Sequence, residues 1–296
     1  MRPALRLTLA AAVLLPTAAA AQIAAPGIPT TTQGARVPKT RDWTIGVGLA
    51  PVYAPIWQGS RDMGLSIFPD LRINYRDALF FSVPDGLGWN AVNKNGWKIG
   101  PLFKFRFARR ESTGGSPFLI VGSSTALNGM GDIGFVGEPG AFAQYTLPGN
   151  KWRLRAELRQ GIGGHAGLIA DTSIGYASRI GTPGTNGLWL YSASLRSTFA
   201  ASNYTNTYFG VNEQQSLNTG LAVSDLGSGL VSAGLNASLT KPLGKYGQNG
   251  AITLFGGYDR LSDVVGQSSL IEERGRLNQL SIGLSYTYRF GLGGTR

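Results

Sequence analysis

From Leu280 to Phe290 the chain alternates without a break. Leu280, Ile282, Leu284, Tyr286, Tyr288 and Phe290 are apolar or aromatic, and Ser281, Gly283, Ser285, Thr287 and Arg289 stand between them. A period of two over this length is an extended strand with one apolar and one polar face. The run is long enough to cross a bilayer at a tilt, and Tyr286, Tyr288 and Phe290 at one end have the composition of a membrane-interface girdle. This pattern predicts an all-β chain, an antiparallel transmembrane β-barrel in the outer membrane of a Gram-negative bacterium. The end of this strand should lie at the periplasmic rim.

The rest of the composition agrees with that class. Residues 1–21 read as a signal peptide, with Arg2 and Arg6 before the apolar run Leu7–Leu15 and Ala19-Ala20-Ala21 as a small-residue cleavage site. Residues 22–40 carry Pro, Thr and Ala without periodicity and read as a flexible periplasmic lead-in. The barrel is expected over 41–290, followed by a short tail at 291–296. Cysteine is absent, which excludes a lipoprotein anchor, disulfides and thiolate metal sites. Hydrophobic residues make up 43% and charged residues only 15%, with 43 glycines, yet the stretches after residue 21 are too short in unbroken apolar character for a membrane helix. The formal charge of +11 would suggest nucleic acid in an intracellular chain. In a secreted barrel it points instead to outer-membrane lipid and lipopolysaccharide phosphates, to anionic solutes or to an acidic partner.

Further alternating runs begin at Ile45–Tyr53 and continue at Gly64–Tyr75, Leu79–Ala91 and Trp97–Ala108. Others follow at Glu138–Leu147, Trp152–Ile162, Leu168–Ile180, Leu188–Phe199, Leu230–Thr240 and Ala251–Tyr258. With Leu280–Phe290 these make eleven. Closed single-chain barrels of this kind have an even number of strands, short turns on one side and longer loops on the other. Placing the turns 76–78, 148–151, 181–187 and 244–250 on the periplasmic side makes the 97–108 strand descend. One more ascending strand is then needed, and Pro117–Ala126 is the candidate. The expectation is a closed barrel of twelve strands with both termini periplasmic; ten and fourteen are the alternatives. The long outer loops would be 201–228, with a short helix around Glu213–Asn218, and 259–276. Both are polar enough to be either plain solvated loops or binding surfaces.

The chain resembles the MltA-interacting protein (MipA/OmpV) family. The resemblance rests on Gly46-Val47-Gly48-Leu49-Ala50-Pro51-Val52-Tyr53 with Gly59-Ser60, on Phe80-Phe81 with Gly86-Leu87-Gly88-Trp89-Asn90, and on Gly100-Pro101. It continues in Glu138 with Gly140-Ala141-Phe142 and Tyr145, in Gly163-Gly164-His165-Ala166-Gly167-Leu168, in Tyr208-Phe209-Gly210-Val211 and in the ending Gly283–Phe290. Two features depart from the family's habit: Trp57-Gln58 precedes Gly59-Ser60 where members often carry an acid, and Gly291–Arg296 follow the terminal Phe290. The resemblance implies a non-enzymatic outer-membrane protein that scaffolds murein synthesis, with a lytic transglycosylase and a penicillin-binding protein as partners. Adhesion and outer-membrane permeability are further roles it implies.

No catalytic, metal or cofactor site emerges from the residues. The one histidine, His165, sits in a Gly-rich stretch with Asp171 and Ser173 on the next strand, and nothing in that spacing fixes a Ser–His–acid geometry. It reads as a hydrogen-bonding residue at an outer turn. Gly46-Val47-Gly48 lies inside a strand and leads into no helix, so it fails as a phosphate loop. The physical hint to function is a set of basic rows on the polar faces: Lys98, Lys104 and Arg106 on one strand, and Arg153, Arg155 and Arg159 on another, with Glu157 among the latter. Facing lipid, a midplane Arg or Lys costs about 2–4 kcal/mol, so these rows should face the lumen. There they either line a small anion-preferring channel or pair with carboxylates such as Glu111, Glu138 and Asp171 and plug a structural barrel.

Overall fold

The computed structural model describes residues 42–114, 117–244 and 250–293. The expected signal peptide, the lead-in and the last three residues of the tail lie outside them. Twelve antiparallel strands hydrogen-bond in a closed circuit. In chain order they are β1 (Trp43–Pro55), β2 (Met63–Tyr75), β3 (Leu79–Ser82), β4 (Gly86–Trp89), then after the three-residue β5 (Val92–Lys94), β6 (Trp97–Arg106). A second short segment, β7 (Leu119–Val121), precedes β8 (Val136–Thr146) and β9 (Trp152–Gln160); a third, β10 (Ile162–Gly163), precedes β11 (Leu168–Ile180) and β12 (Trp189–Ala200). β13 (Gly229–Pro242), β14 (Ala251–Leu261) and β15 (Asn278–Leu292) complete the wall. β15 closes on β1, in a register running from Trp43 opposite Leu292 to Tyr53 opposite Ile282.

The alternation does what a barrel wall requires. Along β15, Leu280, Ile282, Leu284, Tyr286, Tyr288 and Phe290 are exposed on the outer surface, while Gln279, Ser281, Ser285 and Thr287 are buried inside. Tight turns with residues in the left-handed region join neighbours at one rim: Arg76-Asp77, Asn95-Gly96 and Gly149-Asn150. Both ends of the described chain meet at that same rim, where Trp43 faces Leu292. Aromatic rings also meet in pairs there, Trp43 with Tyr75, Trp97 with Tyr145, Trp152 with Tyr176 and Tyr288 with Phe290.

The count of twelve holds, but by a different route from the one expected. Leu79–Ala91 is not one strand. It folds back on itself as the hairpin β3–β4, pairing Leu79 with Trp89 and Ser82 with Gly86. The turn is fixed by Ser82, whose hydroxyl accepts from the Asp85 N–H at 3.0 Å and donates to its carboxylate at 2.8 Å, and by Gly86 at φ +75°. The segment proposed as the missing wall strand, Pro117–Ala126, contributes only β7, which pairs with Leu65 and Ser66 of β2. It sits above the half-height hairpin and fills the wall there. The added hairpin also reverses the direction assigned to the 97–108 strand: β6 starts at the short-turn rim and runs away from it.

The long loops bury part of their length. α1 (Ser202–Phe209) and α2 (Glu213–Thr219), the latter matching the helix expected near 213–218, lie between β12 and β13. α3 (Asp263–Gly266) and α4 (Ser269–Arg274) lie between β14 and β15. With the β1–β2 and β6–β8 loops they form the larger buried core: Ile56 and Trp57, then Leu127, Met130 and Ile133, then Tyr204, Tyr208, Phe209, Leu221 and Leu226, then Val265, Leu270 and Ile271. This core is a lid over one end of the barrel.

Candidate functional site

Beneath the lid lies a cavity of about 530 Å³. Its lining runs from Trp57, Tyr204 and Leu261 at the lid to Asp77, Asn150 and Lys151 of the short turns. The six basic residues singled out in the sequence, Lys98, Lys104, Arg106, Arg153, Arg155 and Arg159, all line it. Their strand parity places them there, opposite the lipid-facing Trp97, Phe103, Trp152, Leu154 and Leu158, which are exposed on the outside.

Nearest the lid the charges are paired into one network. Glu138 on β8 accepts from Arg106 at 2.9 Å and from Arg159, and Arg159 also binds Asp171 of β11. Glu157 serves Lys104 and Arg155, each at 2.7 Å, with Arg159 at 3.4 Å. Across the lumen Arg196 binds Asp259, and Arg72 binds Asp70 at 2.7 Å. The network follows from register: Lys104 lies opposite Glu138 on β8, and Glu157 lies opposite Asp171 on β11. Burying so many charges is tolerated only because each carboxylate meets more than one donor. Of the three acids expected to pair, Glu138 and Asp171 do. Glu111 does not: its carboxylate accepts from the Gly129 and Gly131 amides at 2.9 and 2.8 Å, within the lid. Sequence reasoning missed Asp259, Asp70 and Arg196, whose roles depend on strand neighbours and not on local pattern.

His165 is buried at the β9–β11 turn. The Gly167 N–H donates to its Nδ1 at 3.2 Å, so Nε2 carries the proton directed at Glu138, 3.3 Å away. The edges of Tyr204 and Tyr208 enclose the ring. Both nitrogens are therefore committed to structure. Tyr204 and Tyr208 also face Arg106 at 5.3 and 5.4 Å, which ties the lid to the charged network below it. Burial raises both phenols above their ordinary range, and it pushes the Arg109 guanidinium of the lid down to about 10.

Towards the short-turn rim the balance shifts. Among the described residues the cavity lining holds nine Lys and Arg side chains and six Asp and Glu. Low in the lining stand Lys151 and Arg153, with Lys98 held by Asp77 at 2.6 Å at the rim itself.

A family model described as MltA-interacting protein MipA matches residues 47–290. No curated protein matches the chain. Among solved structures, an outer membrane channel from Pseudomonas putida F1 is 11% identical with a TM-score of 0.45, covering 88% of this chain and 100% of that one. The NanC porin is 10% identical at a TM-score of 0.37, over 83% of this chain and 98% of that one. The outer membrane protein opdK from Pseudomonas aeruginosa is 10% identical at 0.30, over 85% and 99%. Closure of the present wall rests on its own ladders.

Proposed function

The chain belongs to the MltA-interacting protein (MipA) family, and from that membership we propose that this outer-membrane β-barrel is a closed, non-enzymatic scaffold. Its short-turn rim faces the periplasm and holds a murein-processing enzyme, a lytic transglycosylase as the family resemblance implies, together with a penicillin-binding protein. Tyr286, Tyr288 and Phe290, with the aromatic pairs near the same rim, then sit at the inner membrane–water boundary, where amphipathic rings are favoured. The observation that carries this reading is the lid. A core of buried apolar side chains, tied to the paired charges beneath it, covers the loop end of the lumen. The commitment of both His165 nitrogens supports the non-enzymatic part.

The cation excess in the lower cavity favours a second reading, a small anion-preferring channel. Planar-bilayer recording of the refolded protein separates the two. The scaffold reading expects no stepwise current from the intact chain, and stepwise current once residues 203–225 are replaced by a short Gly-Ser linker. Steps from the intact protein would favour the channel. Affinity capture from detergent-solubilised envelope should recover a lytic transglycosylase; recovery of no murein enzyme would sink the scaffold.

A further inference from the structure

The lower cavity combines cations with aromatic rings, a pairing that a scaffold does not need. Arg155 lies midway along β9 with its guanidinium 4.4 Å from the centroid of Phe142 and 5.9 Å from that of Phe80. The two rings meet edge to face at 5.5 Å. Arg155 Nε donates to Glu157 at 2.7 Å and Nη1 reaches Gln144 at 3.4 Å, whereas the buried Nη2 has no hydrogen-bond partner. A guanidinium N–H withdrawn from water without an acceptor costs free energy that an incoming oxyanion would recover. Lys104 and Arg72 lie beside it, sharing the electrostatic reach of Asp85 at the tip of the β3–β4 hairpin. Arg153 faces Asp85 as well, so four cations stand against Glu157, Asp70 and Asp85, one positive charge in excess.

We infer that the cavity is a binding site for an organic anion with an apolar or aromatic body. The acid group takes the unpartnered Nη2 of Arg155, which a small swing of the guanidinium brings to the lumen, and the body packs on Phe80 and Phe142. The ligand enters at the short-turn rim, because the lid closes the other end. Arginine suits this role: its planar fork binds an oxyanion at one edge while its face stays stacked on a ring. The inference does not depend on the scaffold reading, since binding is measured on the barrel alone with no partner present.

The test is calorimetric titration of the full chain in nanodiscs of zwitterionic lipid with 2-naphthoate. Inorganic phosphate serves as an anion without a body, 2-naphthylmethanol as a body without charge, and empty nanodiscs as background. Saturable binding of 2-naphthoate at one site is expected, with both analogues weaker by about tenfold or more. Arg155→Gln should weaken 2-naphthoate by about tenfold. Arg155→Lys keeps the ion pair with Glu157, and so the fold, but loses the planar stack and the open N–H; it should bind severalfold more weakly with unchanged unfolding. Phe80→Leu, which keeps an apolar side chain, should also lose affinity severalfold. Binding no greater than to empty discs, phosphate or the alcohol binding as tightly as the acid, or full affinity in both Arg155 variants would each overturn the inference.

Discussion

At the loop end Leu127, Phe209, Leu261 and Leu270 are wholly buried against side chains brought from four separate loops; at the short-turn end the same wall encloses a cavity, and Lys151, Arg153 and Arg155 stand where a core would be. The strands between are shared, so the contrast does not come from the wall. It comes from loop length. Tight turns such as Arg76-Asp77 spend their residues reversing the chain, whereas the loops at 107–135, 201–228 and 262–277 are long enough to fold inward and bury apolar surface. In an outer-membrane barrel the outward apolar residues meet lipid, so the larger part of the water-excluding packing inside the protein is built from such insertions, beside a smaller cluster of inward wall residues, Ala50, Val52, Ala54, Phe68 and Phe255. The lid is where this chain behaves like a soluble protein.

That contrast can be broken by matched substitutions at the two ends. The largest effect is expected at the lid: Phe209→Ala should cost about 3–5 kcal/mol in urea unfolding of the liposome-refolded protein. Ile180→Ala, at the exposed short-turn rim, should stay within about 0.5 kcal/mol. Equal losses would mean that the lid is not the stabilising core. Next comes the boundary between the ends. Glu138→Gln removes the charge shared by Arg106, Arg159 and His165 and should cost about 1.5–3 kcal/mol, softened by Asp171 and Glu157, which still hold Arg159. A fourth substitution tests the lid from within. The Tyr208 hydroxyl is buried with no hydrogen-bond partner, so Tyr208→Phe should leave stability unchanged or raise it by up to about 1 kcal/mol, and a loss of that size would contradict the assignment.

The smallest effect belongs to the rim. Asp42 is held below its ordinary value of 3.8 mainly by the hydrogen bond from Arg76. A depressed carboxyl contributes stability above its unfolded-state value and loses it as pH falls through the folded one. The pair is exposed, so Asp42→Asn should remove only a slight acid-side dependence of the unfolding midpoint, below about pH 4. A large acid-side change on this substitution would place real stability at the short-turn end.

The wall was legible because lipid on one side and water or charge on the other impose a period of two, and because Asn95-Gly96 and Gly149-Asn150 adopt the left-handed turns their residue types favour. The β3–β4 hairpin was hidden by parity. Its turn spans three residues, so Leu79 and Phe81 before it keep the same phase as Leu87 and Trp89 after it, and one long strand reads the same as two short ones. Pro84-Asp85-Gly86 was the available signal, since such residues favour reversal over extension. The lid escaped because its apolar residues are dispersed among polar loops. Tyr204 and Tyr208, one helical turn apart in α1, were its trace in the sequence. The inward rows of Arg and Lys followed from the cost of facing lipid. Their partners did not, because which carboxylate meets which cation is decided by register between strands.

The lid also spans the seam where the circuit closes. Gly59 N–H donates to Gln279 at 3.1 Å, Arg276 N–H donates to the Gly59 carbonyl at 2.7 Å, and Ser60 bridges Gly275. The β1–β2 loop and the β14–β15 loop are thus joined at opposite ends of the sequence. Most of the wall can form by sequential hairpins between neighbours, while these contacts have to wait for β15 to arrive, which makes them slow to gain. Contacts absent until late in folding raise the barrier to unfolding more than they speed assembly. The buckle across the β1–β15 seam therefore adds to the barrier that keeps the finished barrel shut.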